Sequence, residues 1–206
     1  MTKTEKIIDA ARKRFRYYGI NKTTMQEIAA DAGVAVGTLY LYFSNKDDLV
    51  VACAEDFVER HRRQAEAILA DGTPAEQKLR AYVLARFRES KDIRTGSRHA
   101  VELAQAVMRV KPDRIHEEGQ MMAQTITAIL ERGVRDRVFR IARPEEDASV
   151  FLYSIAWFFP NALAPPLLEP PEEDLLSVVN WFIRAWTAKP ARSRKAAGPR
   201  RRAARN

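Results

Sequence analysis

The residues whose types and spacing suggest chemistry lie in one stretch, 24–46, which reads TMQEIAADAGVAVGTLYLYFSNK. The chemistry they suggest is recognition, not catalysis. Thr24 followed by Glu27 has the spacing of a capping box, in which each side chain satisfies a free backbone donor at a helix start. Ala32-Gly33 then permits a sharp turn, and a short second helix follows from about Ala35 to Phe43. Helices joined in this way can lay the second in the major groove of double-stranded DNA while the first crosses the backbone. Thr24 and Lys46 begin the helices on either side of it, and helix starts favour phosphate. Tyr40 and Tyr42 can donate hydroxyl hydrogen bonds to phosphate. Val36, Gly37, Thr38 and Leu41 would face base edges, where an apolar group meets a thymine methyl and glycine permits close backbone approach. Leu39 and Phe43, four residues apart, share one face and read as core.

Other chemistry is poorly supported. His61, His99 and His116 share no short metal-ligand spacing, so no metal and no cofactor is expected. No nucleophile stands with a base, which argues against an enzyme. The lone Cys53 cannot close an internal disulfide and suits a reducing cytoplasm. Charged residues interrupt the apolar runs at the N-terminus, so no secretion signal is visible. The longest apolar stretch, Val150 to Phe159, is well short of the roughly 20 residues that span a bilayer, and a cytoplasmic protein without a membrane partner is expected.

Charge is uneven along the 206 residues. The net charge of +8 resides in 189–206, which holds eight Lys or Arg and no acid, leaving 27 of each sign before it. Residues 1–46 carry eight basic and four acidic groups, and 47–188 carry 19 and 23. A basic start on an acidic body fits a nucleic-acid-binding head.

The elements that must position these residues are helices. Apolar residues recur at helical spacing and no period-two pattern appears, so the fold class is all-α. Helix one is expected from about Thr4 to Tyr18, with Ile7, Ala11 and Phe15 on one face and Gly19 as a left-handed stop. Ser44 with Asp47, or Asn45 with Asp48, caps a long fourth helix reaching Ala70, which Asp71-Gly72-Thr73-Pro74 ends. Later helices are expected near 75–90, 96–110, 112–138, 145–163 and 172–188. The stretch from Lys189 has few large apolar residues and should be a disordered basic tail.

The 24–46 motif resembles the DNA-binding segment of the TetR (tetracycline-repressor) family. Thr24, Ile28, Ala29, Ala32, Gly33, Val34, Gly37, Thr38, Leu39, Tyr40, Tyr42, Phe43, Lys46 and Leu49 fall at matching positions without a gap. Ala35 departs from the family's usual Ser cap, a loss of about 1 kcal/mol of local helix stability. Val36 and Leu41 replace residues that are often polar or aromatic, which alters base preference. The resemblance implies a helix-turn-helix head over 1–46 and a helical effector-binding and dimerisation body over 47–188. It implies a homodimer whose heads, about 34–36 Å apart, bind a palindromic operator as a ligand-released repressor.

On that reading Phe87, Met108, Met122, Phe151, Trp157 and Phe158 line a cavity for a small, partly hydrophobic effector, with His99 and Glu102 as polar contacts. Core packing competes with that role for each apolar residue. Ile155, Phe159, Leu163, Leu175, Val179, Phe182 and Trp186 offer the surface for a four-helix dimer interface. The alternative is a DNA-binding regulator without a small-molecule effector, which a filled body would favour.

Overall fold

The computed structural model describes residues 1–160 and 170–187, which hold nine α-helices and no strand. These are α1 (Lys3–Tyr18), α2 (Met25–Ala32), α3 (Val36–Tyr42), α4 (Lys46–Ala70), α5 (Ala75–Thr95), α6 (Ala100–Val110), α7 (Arg114–Arg135), α8 (Pro144–Ile155) and α9 (Glu172–Thr187). The all-α expectation holds. The largest shifts from the expected boundaries are at α5, which runs five residues past Ser90, and at α8. The apolar run that suggested one helix to Leu163 instead tightens into a 3-10 turn at Ala156–Phe158. Leu163 and the basic stretch 189–206 lie outside the described residues.

Local chemistry accounts for the head. Both α1 and α2 open with full capping boxes, Thr2 with Glu5 and Thr24 with Glu27. Of the two caps proposed for α4, Asn45 is the one used: its side chain accepts from Asp48 N at 3.0 Å. Gly33 takes the left-handed conformation (φ 67°, ψ 36°) that closes α2 and turns the chain into α3. Gly19 also has positive φ, but its ψ of 161° places it outside the left-handed helical region expected of it. It still favours glycine, because a Cβ there would meet Glu102 Oε2 at 2.5 Å.

The buried side chains form two clusters. One joins α1, α2, α3 and the start of α4 around Ile7, Phe15, Ile28, Leu39 and Leu49, and α6 packs on it through Leu103, Ala106, Val107 and Val110. The other fills the body around Leu79, Ile126, Phe151, Leu175 and Val179. Phe151, Phe182 and Trp186 meet there with ring centroids 5.2–5.7 Å apart. Long α4 links the clusters. Its C-terminal end is held by buried Lys78, whose ammonium donates to Leu69 O at 3.2 Å and Asp71 O at 2.8 Å, a cation placed where helix carbonyls lack partners.

Candidate nucleic-acid interface and body cavity

Seven-residue α3 sorts its side chains sharply. Leu39 is fully buried in the head, and Phe43, just past the helix, packs against the same cluster. Tyr40, Leu41 and Tyr42 are 46%, 85% and 49% exposed. Val36 is exposed beside them and Thr38 is half-buried. A Cβ added to Gly37 would meet no atom within 4 Å, so nothing inside the chain demands glycine there. Glycine in a helix costs about 1 kcal/mol relative to alanine. Ala35 precedes α3 with no side-chain cap hydrogen bond, as its departure from Ser implies.

The helix starts flanking α3 are arranged differently from one another. Thr24 Oγ1 accepts from Glu27 N at 3.2 Å, and Glu27 accepts from Thr24 N at 2.9 Å. Among the described residues the backbone N–H groups of Met25 and Gln26 keep no partner, which leaves two donors at the α2 N-terminus. Arg14, which sequence reasoning missed, sits 3.0 Å from Glu27 and 2.6 Å from Asp31 and offsets their charge there. Lys46 Nζ donates to Ile20 O at 2.9 Å, so its ammonium ties the start of α4 to the α1–α2 loop and keeps two of its three N–H bonds for another acceptor.

The body contains a cavity of about 290 Å³ between α4, α5, α6 and α7. Its wall is mostly apolar, with Phe57, Leu103, Val107, Met108 and Ile115, and its charged side chains are Arg94, Arg114 and Glu118. Of the residues expected to line it, only Met108 does. Phe87, Met122, Phe151 and Phe158 are buried in the body core instead, because core packing claims large apolar side chains first. Trp157 is 59% exposed on the outer surface. His99 and Glu102 reach the head: Glu102 Oε1 accepts from Asn21 N at 2.7 Å while Oε2 lies 3.2 Å from His99 Nδ1.

The dimer candidates need the same correction. Ile155, Leu175, Val179 and Trp186 are buried within this chain, and Phe159 and Phe182 pack against that core, so none of the six presents a free apolar face. The outward residues of α8 and α9 and of the turn after α8 are Val150, Tyr153, Trp157 and Trp181, which are 56%, 81%, 59% and 59% exposed. Spacing of three puts Val150 and Tyr153 on one face of α8, and Trp157 follows in the 3-10 turn, a pattern visible in the sequence but outweighed there by the more hydrophobic opposite face.

Beside the cavity lies a buried polar cluster that sequence reasoning also missed. His61, Arg86, Glu89 and Glu118 are bonded to one another, with Phe57 packed edge-on to His61 at 3.9 Å. Burial lowers the His61 pKa below the ordinary imidazole value, opposed by its hydrogen bond to Glu89. Burial pushes the Cys53 thiol up to about 12, so it lines the cavity as a small protonated hydrophobe. The described residues hold no group of three or more acid, His or Cys side chains that could bind a metal, and none of their helices is long and apolar enough to cross a membrane.

Comparison with known proteins bears on the head most directly. The model of bacterial regulatory proteins of the tetR family matches residues 7–53. A dual transcriptional regulator, CecR of Shigella flexneri, is 37% identical over 87 residues, 39% of each chain. The matched stretches span 32% to 42% of the length of the first three curated relatives. Fold similarity extends further. A Cytophaga hutchinsonii transcriptional regulator superposes with a TM-score of 0.70 at 23% identity, covering 89% of this chain and 98% of that one. SmeT, a Stenotrophomonas maltophilia efflux-pump repressor solved with triclosan, gives 0.64 at 22% identity over 92% and 94%. Residues 7–53 are thus similar to the matching segment of bacterial regulatory proteins of the tetR family, and the helical fold is shared with these regulators along nearly the whole chain.

Proposed function

We propose that this protein is a DNA-binding transcriptional regulator that acts as a homodimer on a two-fold-related operator and is released by a small ligand entering the body cavity. The observation that carries the reading is the outward face of α3. A seven-residue helix that buries Leu39 while exposing two tyrosines and a leucine beside an open Gly37 is built to meet another surface. In this reading 1–46 is the head and 47–188 the body. Val36, Gly37, Thr38 and Leu41 meet base edges, while Tyr40, Tyr42, Lys46 and the α2 start at Thr24 hold phosphates.

The exposed stripe Val150, Tyr153 and Trp157, with Trp181 of α9, forms the dimer contact with the same stripe of a second copy, as an isologous interface requires. The cavity favours a ligand-controlled regulator over one with a filled body, and relatives of the same fold include SmeT with triclosan bound. A ligand that prefers a body geometry with the wrong head separation draws the population away from the DNA-competent form.

The test is selection of binding sequences from random duplex DNA, followed by anisotropy titration at several salt concentrations. An enriched inverted repeat, bound with a steep salt dependence, is the expected result. Enrichment of no sequence, with binding that remains sequence-blind, would overturn the reading.

A further inference from the structure

Arg114, at the start of α7, is the charged residue of the cavity wall whose bonding is least complete. Its side chain is nine-tenths buried. Among the described residues its hydrogen bonding amounts to Nη1 donating to Ala54 O at 3.3 Å, and Nε is buried with no partner. Its acidic neighbour Glu118 lies 3.8 Å away, beyond hydrogen-bonding distance, because that carboxylate is drawn to Arg86. Burial lowers the Arg114 pKa from the ordinary guanidinium value, the mark of a cation without full compensation. The guanidinium is nonetheless held in place, with its carbon 4.7 Å from the centre of the Phe57 ring.

A buried guanidinium with unused donors calls for an anion, and a planar carboxylate is its natural partner. Apart from Ser90, Arg94 and Glu118, the wall beyond Arg114 is apolar, with Leu103, Val107 and Met108 of α6 and Ile115 of α7. The volume of about 290 Å³ lies near the lower end of the roughly 300–1,000 Å³ of small-ligand sites. We propose that the cavity takes a small amphipathic carboxylic acid, whose carboxylate bonds Arg114 and whose apolar part lies along α6. The inference rests on the reading of the cavity as the ligand site and adds the ligand's chemical class and its anchor.

The test is calorimetric titration of the purified full chain with octanoate, 1-octanol and octylamine, which share a chain and differ in head group. Direct binding is read without DNA, so its result is independent of whether ligand releases operator. Octanoate should bind about ten-fold more tightly than octanol, the worth of a charge-assisted hydrogen bond, and octylamine more weakly than either. Arg114→Gln should bring octanoate and octanol to equal affinity. Glu118→Gln, which removes the competing carboxylate, should tighten octanoate and leave octanol unchanged, and it decides the matter if Arg114→Gln fails to fold. Octanol or octylamine binding as tightly as octanoate, or no binding by any of the three, would overturn the acid assignment. The regulator reading would then still be judged by operator binding, and the ligand-release part of it by whether a compound of another class dissociates the complex. If octanoate binds as expected but leaves the operator complex intact, the acid assignment stands and the release mechanism is refuted.

Discussion

Leu39 and Leu41 lie two residues apart on α3 and should separate stability from DNA recognition. Leu39 is completely buried, so Leu39→Ala removes packed carbons and leaves a void, at a cost of about 2–5 kcal/mol in folding stability. Leu41 is 85% exposed, and Leu41→Ala should change stability by less than about 0.5 kcal/mol. Its effect should appear on DNA. Truncation removes three carbons, worth about 2.4 kcal/mol if fully desolvated at about 0.8 kcal/mol each. Contact with a thymine methyl desolvates less than half of that, about 1 kcal/mol per protomer. Two protomers on one operator give about 2 kcal/mol, or roughly 30-fold in affinity. Because no charge is lost, the slope of affinity against salt should stay the same. Thermal melting and anisotropy on a selected operator measure the two quantities. A Leu41→Ala protein with unchanged affinity, or one melting as low as Leu39→Ala, would refute the assignment of α3 as the reading helix.

Further outcomes follow from the same geometry. Gly19→Ala forces a side chain into positive φ against Glu102 and His99 and should cost at least about 1–2 kcal/mol, seen as a drop of roughly 2–8 °C in melting temperature; an unchanged melt would mean that the α6 contact at this loop is not maintained. His61 has a lowered folded-state pKa, so the unfolded chain takes up its proton first. Stability is therefore complete above the unfolded pKa of about 6.5 and falls as pH drops through it toward the folded value. Urea unfolding at stepped pH should show this slope, and His61→Gln should reduce it; an equal slope in the variant would assign it to other groups. Tyr153→Arg puts like charges across a two-fold contact at a site 81% exposed in one chain, so sedimentation should show monomers with an unchanged melting point in dilute solution; intact dimers would move the interface elsewhere.

The head was far more legible in the sequence than the body. Its information is local: Thr24 with Glu27 three residues on, Gly33 after Ala32, and Leu39 with Phe43 on one face each act within a turn or two of helix. The body depends on contacts between distant segments. The apolar period of α8 and α9 revealed two faces, yet Ile155, Val179 and Trp186 turn inward while Tyr153 and Trp181 turn outward. Hydrophobicity ranks which face is buried first, so the strongest apolar residues fill the chain's own core and the weaker stripe stays exposed. Arg114 and Glu118, four apart on a helix, have the spacing of an ordinary surface pair, and only the packing of α4 and α6 over them makes them cavity residues. His99 and Glu102 stand out as polar residues at the start of an apolar helix, but they pair with each other, and Glu102 accepts from Asn21 N in the head loop, 81 residues away in the chain.

The proposed link between cavity and head turns on which contacts between them are strong. Polar ties from head to body include Arg16 with Asp92 at 2.8 Å, Asn21 N with Glu102 at 2.7 Å and Ser97 Oγ with Arg16 O at 2.5 Å, and Asp47, one residue past the head, pairs with Arg109 at 2.6 Å. Both ion pairs are substantially exposed, with Arg109 60% and Asp47 45% accessible, and such pairs contribute about 0–1 kcal/mol each. The apolar contact is larger. Leu103, Ala106, Val107 and Val110 of α6, each partly buried, pack against the head cluster and contribute about 0.8 kcal/mol for each carbon removed from water. Leu103 and Val107 are also cavity lining, so the same two side chains touch the head core and the space a ligand would fill. A ligand pressing on α6 therefore acts on the stronger part of the head–body contact. In the proposed release mechanism, the exposed ion pairs would offer little resistance to a shift of the head.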